Sequence, residues 1–281
     1  MAESVQFFVT CMADLFRPKA AQAAVRVLER HGYSVNFPQG QTCCGQFSFN
    51  AGYHREAAAL ARHFIEVFEP VAGPIVGISG SCVAMIHEYP SLLYDDALAG
   101  GEPDATANDW KRRAQAVAER TREWSQWLME ETALTGDPAP KERRMTAMHH
   151  LGCHMRRLLG ATTEPTQLLA RVGVDLVEPD AEDQCCGFGG TYSMTEPAVS
   201  TAMADAKWQT IQEGAQASDA VALTGEDLGC LLHLQGRLSR QNGSFPVLHV
   251  AEIVDLAETG QLTRAALERE GRFVDDGTSP R

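Results

Sequence analysis

The cysteine doublet Cys43-Cys44-Gly45 recurs in this chain as Cys185-Cys186-Gly187, and the spacing around it recurs too. In each case 31 residues separate the doublet from a lone upstream cysteine, Cys11 in the first and Cys153 in the second. Another lone cysteine follows each doublet, Cys82 after 37 intervening residues and Cys230 after 43. These eight are all the cysteines present, and the first three of each set are related by a constant offset of 142 residues. Chance would not reproduce such a gap twice. The chain reads as an internal duplication with one four-thiol set per half.

The fate of thiols depends on compartment. The opening run MAESVQFF has no basic region and no long apolar stretch, so it does not read as a secretory signal. The expectation is a cytoplasmic protein, whose thiols stay reduced or hold metal rather than form structural disulfides. The longest apolar stretch, Pro74 to Ile86, is interrupted by Gly77, Ser79, Gly80 and Ser81 and does not read as a membrane span. A formal net charge of −13 argues against nucleic acid or an anionic membrane as the main partner, since both select basic patches.

Patterning places the cysteines on a fold. Val5–Thr10, Tyr33–Phe37 and Pro74–Ser79 read as strands leading to Cys11, the first doublet and Cys82. Helices are expected from Pro18 to Gly32 and from Gly52 to Phe68. The order repeats with strands at Met145–Leu151, Val174–Val177 and Ala220–Thr224, and helices at Thr166–Val172, Glu196–Gly214 and Leu231–Arg240. Val247–Ala257 adds a final strand or short helix. Alternating β and α implies two Rossmann-like α/β halves related by a pseudo-twofold, each a mostly parallel sheet with helices on both faces. Each cysteine then lies at or just past a strand's carboxyl end, where open parallel sheets bind ligands.

Between the halves, Asp95–Thr106 is rich in Gly, Pro and Asp and reads as a loop. Asp109–Glu131 reads as one amphipathic helix whose Trp110, Trp124 and Trp127 pack onto the first half. With Gly136–Pro140 as linker, the expected domains are 1–142 and 143–267, followed by a frayed polar tail at 268–281.

Four thiolates gathered at strand ends suit an iron–sulfur cluster, one per half. Adjacent cysteines fit poorly on a single tetrahedral zinc, although zinc at one or both sites is the alternative metal. Gly45, Gly187, Gly189 and Gly190 can turn backbone N–H groups toward sulfur and stabilise its negative charge. A thiol–disulfide oxidoreductase using the vicinal pairs is a third reading, but it leaves the lone cysteines unexplained.

The two patterns Cys-x31-Cys-Cys-Gly-x37-Cys and Cys-x31-Cys-Cys-Gly-x43-Cys resemble the CCG domains of the heterodisulfide reductases and of the glycolate oxidase iron–sulfur subunit. Gly152-Cys153-His154, the Cys-Cys-Gly-Phe-Gly-Gly of 185–190 and the Cys-Leu-Leu-His-Leu-Gln-Gly of 230–236 are most similar to the lactate utilisation protein A family. That resemblance implies a cytosolic iron–sulfur subunit working with two sister proteins to oxidise L-lactate to pyruvate. It also implies a fifth cysteine closing each domain, where this chain has Met85 and His233.

His233 is therefore a candidate metal ligand, since it stands one turn beyond Cys230. Neutral imidazole in place of thiolate would raise the potential of the second site, so electrons would run from the first to the second. His149, His150 and His154 flank Cys153, and histidines at strand ends are more often hydrogen-bonded neighbours than ligands. Met85 reads as apolar filler and His249 as a satisfied core histidine. No nicotinamide or flavin fingerprint and no hydrolytic triad is legible.

Overall fold

A computed structural model describes residues 3–131, 144–181 and 183–271. The first half runs β1 (Ser4–Phe8), α1 (Cys11–Phe16), α2 (Pro18–Arg30), β2 (Ser34–Asn36), α3 (Gln46–Asn50), α4 (His54–Phe68), β3 (Ile75–Gly77), α5 (Gly80–Ala99), α6 (Asp104–Glu119), β4 (Thr121–Glu123) and α7 (Trp124–Glu131). The second runs β5 (Met145–His149), a π-helical turn (Met155–Leu159), α8 (Glu164–Arg171), β6 (Val174–Val177), α9 (Tyr192–Thr195), α10 (Pro197–Ser218), β7 (Leu223–Gly225), α11 (Leu228–Arg240), β8 (Val247–His249), α12 (Val250–Glu258) and α13 (Arg264–Glu270).

Each half builds a four-stranded, wholly parallel sheet, ordered β2-β1-β3-β4 in one and β6-β5-β7-β8 in the other. The two orders are the same order, as the duplication requires. In such a sheet the winding reverses between β1 and β3, and between β5 and β7, leaving a crevice beyond their carboxyl ends. Cys11 and Cys82 follow β1 and β3, and Cys153 and Cys230 follow β5 and β7. The lone cysteines thus flank the two crevices, and the doublets reach them from the neighbouring strands β2 and β6.

Local chemistry explains most boundaries. Pro18 opens α2 where its missing N–H is no loss, and Ala20, Ala21, Ala23, Ala24, Val27 and Leu28 form its buried face. Gly32 ends it with a φ of 87, a conformation that other residues rarely take.

Three expectations need correction. The loop placed over Asp95–Thr106 shrinks to 100–103, because α5 continues through Pro90 to Ala99 and α6 starts at Asp104. An ion pair from Asp96 to Arg62 at 2.7 Å holds the end of α5, and Asp104 suits the positive start of α6. The single helix over Asp109–Glu131 is α6, a strand and α7, since Thr121–Glu123 pairs in parallel with β3. The tail is ordered further than expected: Glu268–Glu270 belong to α13, and the Gly271 carbonyl accepts from Val247 N at 3.1 Å and Gln235 Nε2 at 2.6 Å. The linker and the 142/143 boundary lie outside the described residues.

The cores are unequal. One hydrophobic cluster, containing Phe8, Phe64, Phe68, Tyr89 and Leu93, belongs to the first half alone. The larger one joins both halves, with Phe7, Val27, Leu28, Trp124 and Leu128 packed alongside Met148, Trp208, Leu248 and Val254. Along its rim α2 and α12 are laced by Arg17–Glu252 at 3.0 Å, Arg26–Asp255 at 2.5 Å and Arg30–Glu258 at 2.9 Å.

Candidate metal centre

In the first half Cys11 opens α1, directly after Thr10, a buried residue held at a φ of 60. Such a backbone costs about 1–3 kcal/mol for a β-branched residue, strain that collects where geometry is needed. Cys11 Sγ lies 3.7 Å from Cys43 Sγ. Gly45 turns at a φ of 86 so that its N–H points at Cys43 Sγ, 3.4 Å away. Cys44 is buried, hydrogen-bonded to both Cys43 and Cys82, and its carbonyl accepts from Tyr89 Oη at 2.8 Å. All four sulfurs of the set are therefore in one cluster.

The second half repeats this. Gly187 N donates to Cys185 Sγ at 3.4 Å and Phe188 N to Cys186 Sγ at 3.5 Å. Cys186 Sγ is 2.9 Å from Cys230 Sγ, and Cys153 hydrogen-bonds to Cys185. A Cβ on Gly187 would stand 2.5 Å from the Ser200 carbonyl, so this turn accepts glycine alone. Gly189 and Gly190 lie closest to the Tyr192 and Phe47 side chains, so their place is in packing. Cys82 and Cys230 occupy the third position of α5 and α11, where helix dipoles favour thiolate.

The thiols share protons unevenly. Hydrogen bonds from Cys11 and then Cys44 hold Cys43 down to about 3, and those from Cys153 and Cys186 hold Cys185 down to about 2. The donors move the other way: their hydrogen bonds to Cys43 and Cys185, then burial, push Cys11 and Cys153 far up. Each half thus presents one thiolate surrounded by thiols that give up protons only to something stronger, such as a metal. All eight cysteines are free thiols, and the sulfur-only donor sets suit an iron–sulfur cluster at both sites.

The histidines divide clearly. His154 Nδ1 is 3.4 Å from Cys153 Sγ, and its Nε2 is 3.0 Å from Gln46 Nε2 of the first half. The amide can only donate, which makes Nε2 the acceptor and leaves Nδ1–H for the sulfur. His149 Nε2 meets Glu226 at 2.8 Å, in full burial. His249 Nδ1 caps α12, and its Nε2 lies 3.0 Å from the Ile78 carbonyl, as suits a core histidine. His233 Nε2 lies 3.3 Å from Ser200 Oγ, with its ring 5.8 Å from that of Phe188. His150 is also buried, and burial, then Lys207 and His149, push it down to about 3, so its ring is neutral. Met85 is buried in the first-half core.

The sites meet at the junction of the halves. Asp227, buried just before α11, accepts hydrogen bonds from Ser79 Oγ at 2.9 Å, Ser81 N at 2.9 Å and Ser81 Oγ at 2.6 Å. Its carboxylate caps α5, the helix carrying Cys82, from the opposite half. A small cavity lined by Cys11, Cys43, Cys44, Cys82, Phe188 and Asp227 takes wall from both halves. Phe47 and Phe188 pack edge to face at 5.7 Å. Sequence reasoning missed Asp227 and Gln46. Their only signal was position, three residues before Cys230 and two after Cys44.

Comparison with known proteins agrees with this geometry. The Cysteine-rich domain family, CCG, matches residues 5–87 and 147–235. "Lactate utilization protein A" of Halalkalibacterium halodurans is 40% identical over 255 residues, covering 90% of this chain and 97% of the relative. The protein of the same name from Exiguobacterium sp. is 41% identical over 254 residues, with the same coverage. That of Bacillus subtilis is 36% identical over 252 residues, 89% of this chain and 98% of its own length. Among solved structures, a hypothetical protein from Helicobacter pylori shares the fold with a TM-score of 0.65 at 11% identity. That likeness covers 98% of this chain and 53% of the other, so this chain spans about half the length of that protein. By its duplicated cysteine sets and by these relatives, the chain belongs to the lactate utilization protein A family of CCG cysteine-rich domain proteins.

Proposed function

We propose that the chain is the iron–sulfur electron-transfer subunit of a cytoplasmic system oxidising L-lactate to pyruvate. The observation that carries this reading is the gathering of four free thiols at the winding reversal of each sheet, with the two sets facing a common junction. Cys11, Cys43, Cys44 and Cys82 would hold one cluster, and Cys153, Cys185, Cys186 and Cys230 the other. When bound, such a cluster supplies one-electron chemistry. The chain's own groups stabilise charge on sulfur: the N–H groups of Gly45, Gly187 and Phe188, and His154 Nδ1–H held by Gln46. The Phe47–Phe188 contact and the Gln46–His154 bridge support passage of electrons between the sites. His233 stands close enough to Gly187, through Ser200, to tune the second site.

Sister subunits are the expected partners. Large apolar side chains are exposed just beyond the ligands: Leu15 and Phe16 after Cys11, Leu158 after Cys153, and Met194 after the second glycine run. Among the described residues no helix is long and apolar enough to cross a membrane. Iron and sulfide analysis of anaerobically purified protein, with its visible spectrum, tests the reading. Both elements and broad absorption are expected, falling when Cys43 or Cys185 becomes alanine. Zinc without colour would replace it with a structural metal site, and metal-free protein with a thiol–disulfide function. Alone, the chain should oxidise no lactate.

A further inference from the structure

The 142-residue offset exposes one asymmetry beside the cysteines. Three residues before Cys11 stands Phe8, and three before Cys153 stands His150. Phe8 is buried against Phe64 and Phe68, with ring centroids 5.0 and 6.0 Å away, in a wholly apolar setting. His150 is equally buried, yet neither of its ring nitrogens has a hydrogen-bond partner. The rest of the residue is anchored, its backbone N–H donating to Thr224 O at 2.8 Å. One ring nitrogen, Cys186 Sγ and Cys230 Sγ all lie within 4.8 Å of one another. Among the described residues no other three such donor atoms of His, Cys, Asp and Glu come so close.

Buried polar groups are almost always paired, and an orphaned imidazole beside two thiols is the arrangement that a bound ion resolves. The neighbouring histidines have other work: His154 lies between Cys153 and Gln46, His149 on Glu226, and His233 against Ser200. We infer that His150 is a direct nitrogen ligand of the metal centre in the second half. The second centre then has a mixed thiolate–imidazole shell, and the first, where Phe8 takes the same place, has thiolates alone. The assignment rests on the reading that these cysteines hold an iron–sulfur cluster. It moves the histidine ligand from the helix after Cys230 to the strand end before Cys153.

Pulsed EPR of the reduced, iron-loaded chain labelled with 15N-histidine tests it. Wild type should show the strong nitrogen coupling of a bound imidazole, altered by the isotope. The coupling should vanish in His150→Phe, which copies the first half, and in His150→Cys, which keeps a donor atom and hence the iron. It should persist in His233→Phe. A redox titration of His150→Cys should lower one of two midpoints and leave the other unmoved, because thiolate adds negative charge. Coupling that survives in His150→Cys, that vanishes in His233→Phe instead, or that is only the weak kind from hydrogen-bonded nitrogen would overturn the assignment while leaving the iron–sulfur function intact. A chain that takes up no iron or sulfide would overturn both.

Discussion

Replacing Asp227 by alanine should destabilise the protein by about 4 kcal/mol and damage both metal sites at once. The carboxylate is buried and accepts three hydrogen bonds, all from residues at the start of α5. Bonds to a charged acceptor contribute roughly 1.5–3 kcal/mol each, and they are not additive. Removing one partner of a buried charged network typically costs about 3–5 kcal/mol, which bounds the sum. The variant leaves Ser81 N–H unpaired at the helix start, next to Cys82. Asp227→Asn keeps the shape and one acceptor oxygen, so about 1–2 kcal/mol is expected. Anaerobic guanidinium denaturation with linear extrapolation supplies the free energies. Iron counting in each variant, against a Cys82→Ala chain that reports the second site alone, supplies the site effect. An Asp227→Ala protein within about 1 kcal/mol of wild type, losing iron only from the second site, would mean that the residue serves its own helix and not the junction.

Three further outcomes are expected. Burial, and then the Glu226 carboxyl, raise Glu123 from 4.5 to about 8, so the folded protein keeps a proton there that the unfolded chain releases. That stabilisation is complete below the lower value and lost as pH rises through the upper, a span of about 5 kcal/mol. Glu123→Gln should thus gain stability relative to wild type between pH 5 and 9 in denaturation midpoints, and an equal difference at both would refute the assignment. Gly187→Ala, with a Cβ 2.5 Å from Ser200 O, should empty the second site of iron, whereas Gly45→Ala, at 3.3 Å from Ala57 O, should impair the first less. Arg17→Ala should cost about 3–5 kcal/mol by stranding buried Glu252, and exposed Lys19→Ala less than about 0.5 kcal/mol, both read by the same denaturation.

What the sequence could reveal was whatever its local pattern contains. The cysteine spacing fixes the duplication, and continuous apolar runs such as Val174–Val177 stand out as buried strands. The strand Thr121–Glu123 did not: three polar residues between helical segments become a strand only because β3 offers them hydrogen-bond partners. The continuation of α5 through Pro90 was equally hidden, since proline argues for an end that ion pairing and packing overrule. Within the site, sulfur positions were legible and their surroundings were not. Asp227, Gln46 and His150 act across elements or across halves, and a single sequence does not carry those distances.

The core common to both halves shapes how the protein must be made. Arg26 on α2 waits for Asp255, 229 residues later in the chain, before it finds its partner. At about 5–20 residues per second of synthesis, that delay is on the order of ten to forty seconds. Throughout it, the apolar side of the newborn first half, with Phe7, Val27, Leu28 and Trp124, has no second half to cover it. A ribosome-bound chain in this condition is prone to stick to others, so chaperone shelter during translation should matter more here than for a protein of two self-sufficient domains.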